Sequence, residues 1–183
     1  MWREIVGIIT QLLVATPKAW KDIYREKRSL GEFLNRYLHP MFGLIAFTSF
    51  VGGLIFSSNG NIESALKQAI IGVVAVYGGY FIASYILNET AEKFSLKKNL
   101  PMFKKYVGFS SVVIYLLYLI IPFFPDFIIL WLLALYTVHL LYIGAQFYLK
   151  VDKDNHLNFT LLSSAVILFT PAAINMLFSF IIK

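Results

Sequence analysis

YLHPMFGLIAFTSFVGGLIFSSNGNI, residues Tyr37 to Ile62, runs for 26 residues without an Asp, Glu, Lys or Arg. Four more such runs follow: Gln68–Asn88 (21 residues), Tyr106–Pro125 (20), Phe127–Leu149 (23) and Asn155–Ile182 (28). A hydrocarbon core of ~30 Å needs about 20 mostly apolar residues at ~1.5 Å each, so all five are long enough to cross it. Backbone amides in hydrocarbon must pair within their own segment, and barrel strands need only ~10 residues, so runs of this length predict helices. The expected fold is all-α: a polytopic transmembrane bundle of five helices in one domain (37–183), with spans at about 39–58, 68–88, 106–124, 127–149 and 158–182. An amphipathic, interfacial segment precedes it at 1–36.

Composition agrees with this reading, with 58% hydrophobic and 14% charged residues and a mean hydropathy of +0.70. Seven basic residues precede Tyr37, five lie between the second and third runs, and Lys150 and Lys153 lie between the fourth and fifth. Only Lys67 and Lys183 belong to the opposite side. The positive-inside rule then puts the N-terminus in the cytoplasm and, after five crossings, the C-terminus outside. A solvated cytoplasmic face accounts for the net charge of +6, and no nucleic-acid partner is expected.

Within the first 36 residues, Ile5, Ile8, Ile9, Leu12 and Leu13 recur at helical spacing, and Trp2 and Arg3 suit a headgroup boundary. Thr16 and Pro17 read as the N-cap and first-turn proline of a second helix carrying Trp20, Ile23 and Tyr24. The chain has no cysteine, which excludes disulfides and thiol chemistry.

The spans hold no mid-depth carboxylate, lysine or arginine, the usual markers of proton relays and ion sites. Asp126, between Pro125 and Phe127, reads as a turn residue. No catalytic or metal constellation is visible, and no cofactor is expected. The remaining polarity is neutral. Tyr136, His139, Tyr142 and Gln146 share one face of span four. Span two offers Tyr77, Tyr80, Ser84 and Asn88, and span five offers Thr170, Pro171 and Asn175. If these faces converge, Tyr77, Tyr80, Ser84, His139, Tyr142, Gln146 and Asn175 line a polar pocket; otherwise they are interhelical hydrogen bonds. Small residues at intervals of four, Ser49, Gly53 and Ser57 in span one and Ala75, Gly79 and Ala83 in span two, predict close helix contacts or self-association. Pro122 and Pro125 end span three, and Pro171 is expected to bend span five.

Tyr37 and Pro40 opening span one, Gly108, Phe109 and Ser110 opening span three, Pro122 and Pro125 closing it, and Tyr142, Ile143 and Gly144 late in span four together form a pattern. Over residues 15 to 183 the chain resembles the Yip family, the Ypt/Rab-interacting membrane proteins. The resemblance implies five spans after a cytoplasmic N-terminus. Eukaryotic members are associated with Rab GTPases and vesicle traffic and carry Asp-Leu-Tyr-Gly-Pro before span one, where this chain reads Asn35 to Pro40. The short N-terminus and tight loops look prokaryotic, which implies an inner membrane.

Two functions follow as expectations. One is a non-enzymatic organiser or adaptor whose cytoplasmic face, with Lys97, Lys98, Lys104 and Lys105, meets anionic lipid headgroups or a protein partner. The other is a transporter or lipid-handling protein that uses the polar pocket.

Overall fold

Ser29 starts the first long helix. Its hydroxyl accepts from the Glu32 amide at 3.1 Å while the Glu32 carboxylate accepts from the Ser29 amide at 3.1 Å, a reciprocal capping box. From there α3 (Leu30–Phe33), a π-helical turn (Leu34–Leu38) and α4 (His39–Phe56) run on as one span. The computed structural model describes residues 2–56, 61–124 and 128–182 and is all-helical among them.

Besides Leu30–Phe56, three helices are long and apolar enough to cross a bilayer: Ile62–Phe94, Ile129–Leu149 and Lys153–Ile181. The fifth span is a bent pair, Leu100–Ser110 and Val112–Phe123, meeting at 46°. We label α5 (Ile62–Thr90), α6 (Leu100–Ser110), α7 (Val112–Ile120), α8 (Tyr136–Gly144) and α9 (Lys153–Ile181). The expected bundle is therefore present with four spans, and with five when the bent pair is counted as one. The helices run past the expected limits at Leu30, Ile62, Phe94, Leu100 and Lys153.

Each irregularity has a local cause. At the α6–α7 junction, Ser111 Oγ donates to the Val107 carbonyl at 2.8 Å, a back-bond to i−4 that bends helices. Pro122 lies in a 3-10 turn (Ile121–Phe123) that closes span three, while Pro125 and Asp126 lie outside the described residues. Span four is composite. It opens as an eight-residue 3-10 helix (Ile128–Leu135), continues as α8 and ends as a π-helix (Ala145–Leu149). Runs of 3-10 helix beyond three or four residues are uncommon. Pro171 sits inside α9, which continues through it from Lys153 to Ile181.

In lipid there is no hydrophobic drive between helices, so close packing must hold them. α5 is the central helix, lying against α4 on one side and α9 on the other. Ser49 and Gly53 of α4 are buried against it; a β-carbon at Gly53 would lie 2.7 Å from Ala65 Cα, and one at Gly72 would lie 2.9 Å from Ser49 Oγ. Ala75, Gly79 and Ala83 are buried as well, with Gly79 facing Pro171, whose ring would be 2.7 Å from an added β-carbon. Both small-residue stripes thus mediate contacts within the chain, except that Ser57 lies outside the described residues.

The N-terminal segment forms two helices, α1 (Trp2–Val14) and α2 (Thr16–Glu26). Ile5 and Leu12 are buried in the core, with Ile8, Ile9 and Leu13 packed against it. The cap assignment at Thr16 is corrected. Ala15 holds the N-cap position without a side-chain bond, and Thr16, only 3% exposed, turns its hydroxyl back to the Leu12 carbonyl at 2.7 Å. Arg28 closes the base of this hairpin, reaching Glu4 at 2.7 Å and Glu26 at 2.6 Å, and its carbonyl accepts from Lys105 Nζ at 3.0 Å.

Candidate functional site

Trp20 decides how the N-terminal hairpin meets the bundle. Its ring is fully buried, with centroids 5.7 Å from Tyr106, 6.3 Å from Phe109 and 5.4 Å from Tyr148, and its Nε1 donates to the Leu140 carbonyl at 3.0 Å. The next two carbonyls are also used by other elements. Tyr106 OH donates to Leu141 at 2.9 Å, and His156 Nε2 donates to Tyr142 at 3.0 Å. All three acceptors lie just before the α-to-π transition in span four, a feature often found at functional sites. Gly144 makes room for this joint, since a β-carbon there would lie 2.7 Å from the Trp20 ring and 2.9 Å from that of Tyr106. Gly108 plays the same part beneath the ring of Phe33.

α2 therefore lies along span four, from Thr16 beside Tyr136 (3.4 Å) to Tyr24 against Tyr148 (6.3 Å between ring centroids). Its outer side carries Lys18, Lys21 and Arg25, all exposed and at i, i+3 and i+7. Lys21 also reaches the face of Phe147, 4.6 Å from its centroid, and Lys150 sits 4.5 Å above the ring of Tyr24. This basic stripe was not singled out by composition. The lysines that were singled out are more engaged. Lys98 pairs with Glu89 at 2.6 Å, a bond that holds its ammonium above the ordinary lysine pKa. Lys104 stands 4.9 Å above Phe81, Lys105 holds the Arg28 carbonyl, and Lys97 is exposed.

The seven residues of the expected polar pocket fall into three places. Tyr80 and Ser84 are buried inside the bundle, Ser84 donating to the Tyr80 carbonyl at 2.7 Å, with Tyr77 beside them against Phe42 (5.1 Å) and Phe81 (4.9 Å). His139, Tyr142 and Gln146 are exposed on the outer face of span four, because the helix turns Thr137, Leu140, Leu141 and Gly144 inward. Tyr142 and Gln146 line a shallow groove with His156 and Lys153. Asn175 lies at the opposite end. The single converging seam is thus replaced by separate sites, since each span spends its inward face on small or apolar packing residues.

Asn175 instead helps line a crevice of about 360 Å³ between the ends of the spans remote from the basic residues. Ser49, Gln68, Tyr118 and Ser179 contribute further neutral polar groups, the Asn175 amide facing the Tyr118 hydroxyl. Phe56, Ile71, Ile121, Pro122 and Trp131 supply apolar wall, and among the described residues no charged side chain lines it. Gln68 and Tyr118 carried no distinctive spacing in the sequence, so only the assembled helices reveal them.

Four apolar helical spans with a bent pair as the fifth, a docked N-terminal hairpin and basic residues concentrated at one end define a polytopic helical membrane protein. The chain belongs to the Yip1 domain family, whose model matches residues 10–174, nearly the whole length. The glycines of the family-like motifs at Gly108 and Gly144 are the positions where aromatic rings approach the backbone. No curated protein and no solved structure matches the chain.

Proposed function

We propose that this Yip1-family protein is a non-enzymatic membrane organiser, or adaptor, that works through its basic end. The observation that carries the reading is the stripe of Lys18, Lys21 and Arg25 on a helix fastened to span four, with Lys150 beside it. Fixed cations flanking a membrane bundle attract anionic headgroups at about 1 kcal/mol each, and an acidic protein partner would meet the same surface. We assign this end to the cytoplasmic side of a prokaryotic inner membrane, with the C-terminus outside, and self-association remains part of the proposal.

The test is native mass spectrometry of the protein exchanged into mixed anionic and zwitterionic lipid. Lys18→Glu, Lys21→Glu and Arg25→Glu should each reduce retained anionic lipid roughly fivefold, and Lys97→Glu should do so less. Retention indifferent to all four overturns the headgroup reading. A co-purifying protein lost in the same variants would identify the adaptor form. The crevice favours a second reading, a lipid-handling protein.

A further inference from the structure

Among the described residues, three other depressions large enough for a small ligand each have at least one charged side chain in their lining: Glu4, Glu26 and Arg28 in one, Lys153 in the second and Lys104 in the third. The crevice between Ser49, Gln68, Tyr118 and Asn175 differs in that its described lining is wholly uncharged. Its 360 Å³ lies within the range of small-ligand pockets, about 300–1,000 Å³. Its walls are apolar, yet two carboxamides, a phenol and two serines border it, and none of these groups carries a charge. Ser49 and Tyr118 are buried, while Phe56, Trp131 and Ser179 are exposed and form the rim.

Charge and position together select the occupant. Among the described lining residues a phosphate headgroup would find no cation, and an ion would find no carboxylate. A hydrocarbon chain ending in an ester finds both its requirements: apolar wall along its length and neutral N–H and O–H donors at its carbonyl. The space is too small for a whole two-chain phospholipid. The rim residues belong to spans that face the bilayer, so entry is sideways from lipid rather than from water.

We infer that this crevice binds one acyl chain of a bilayer glycerolipid, with the ester carbonyl held by Asn175 and Gln68. This deepens the lipid-handling reading and rests on it for its functional meaning, but the site itself does not depend on the basic end. Trp131 stands at the rim on the 3-10 segment of span four, with its ring 5.9 Å from that of Tyr118.

The experiment uses the full chain in nanodiscs of phosphatidylcholine doped with the same lipid carrying a diazirine in one acyl chain. Photolabelling followed by peptide mapping should concentrate on the crevice peptides containing Gln68 and Asn175, at least fivefold above exposed bilayer-facing positions such as Leu161 and Phe180. Ser179→Trp, which fills the mouth, and Asn175→Leu, which removes the donor at nearly constant volume, should each cut that labelling at least fivefold. Even labelling across all bilayer-facing positions overturns the site. Retained labelling in both variants also overturns it, and if Ser179→Trp fails to fold, Asn175→Leu and the wild-type map decide. A fluorescent-lipid exchange assay on the same samples separates the two claims: site-specific labelling without exchange keeps the site and ends the lipid-handling reading. Exchange that persists when labelling is even across the surface does the reverse.

Discussion

Two tyrosines of span three show how differently the same side chain is used. Tyr106 is buried with its hydroxyl donating to Leu141, whereas among the described residues the equally buried Tyr115 hydroxyl makes no hydrogen bond of good geometry, with Ser111 as a polar neighbour, and Tyr37 and Tyr80 make none either. A made hydrogen bond contributes about 1 kcal/mol net, while an orphaned buried hydroxyl costs free energy. Tyr106→Phe should therefore destabilise the purified protein by about 1 kcal/mol in thermal or denaturant unfolding. Tyr115→Phe should cost less than half of that, or stabilise. Equal losses would mean that buried water holds the Tyr115 hydroxyl. At the same scale, Lys27, Ser95 and Lys150 adopt the left-handed conformation just after helix ends, with φ of 46°, 59° and 57°. Glycine is the usual residue there, and Lys150 instead sends its cation over the ring of Tyr24.

At the scale of elements, Trp20 is the largest side chain by which α2 is buried in the bundle. Removing a buried tryptophan side chain costs roughly 3–5 kcal/mol, a large loss for an eleven-residue helix whose other contacts to span four include ring edges and cations. Trp20→Ala should release the hairpin while leaving the five spans folded. Limited trypsin digestion would then cut at Lys18, Lys21 or Arg25 at least tenfold faster than in the wild type, with the bundle fragment intact. Unchanged cleavage rates would show that α2 is held by something other than Trp20. The elements also explain what could be read beforehand. Uncharged runs reveal spans because desolvating a charge is costly, and this constraint acts on each residue separately. The capping box at Ser29 and Glu32 was written in the sequence as Ser-x-x-Glu, so the early start of the first span was legible there. The 46° bend at Ser111 and the 3-10 opening of span four were not, because serines and leucines are compatible with an unbroken helix.

Across the whole molecule, the two ends carry different chemistry. Fourteen of the sixteen basic residues belong to one end, and the crevice at the other is lined only by neutral groups. Sites this far apart with no shared side chain should behave additively. Combining Lys21→Glu with Asn175→Leu should lower anionic-lipid retention and crevice labelling by the same factors as the single changes. A deviation beyond about twofold would reveal coupling through the bundle. The candidate pocket was the least legible part of the molecule for the same reason. Helical spacing places His139, Tyr142 and Gln146 on one face, but which way a face turns depends on its neighbours, and here span four gives its inward face to Trp20 and Tyr106.

The bond from Trp20 to Leu140 joins residues 120 positions apart. During synthesis at about 5–20 residues per second, Trp20 is joined to the chain roughly 6–24 s before its acceptor exists. Throughout that interval the first two helices have no finished bundle to rest on, so the nascent chain must carry an unsheltered aromatic until span four arrives. Docking of the hairpin is thus a late event in biogenesis, and the loss of that exposed state marks the moment at which the membrane domain is complete enough to receive its own beginning.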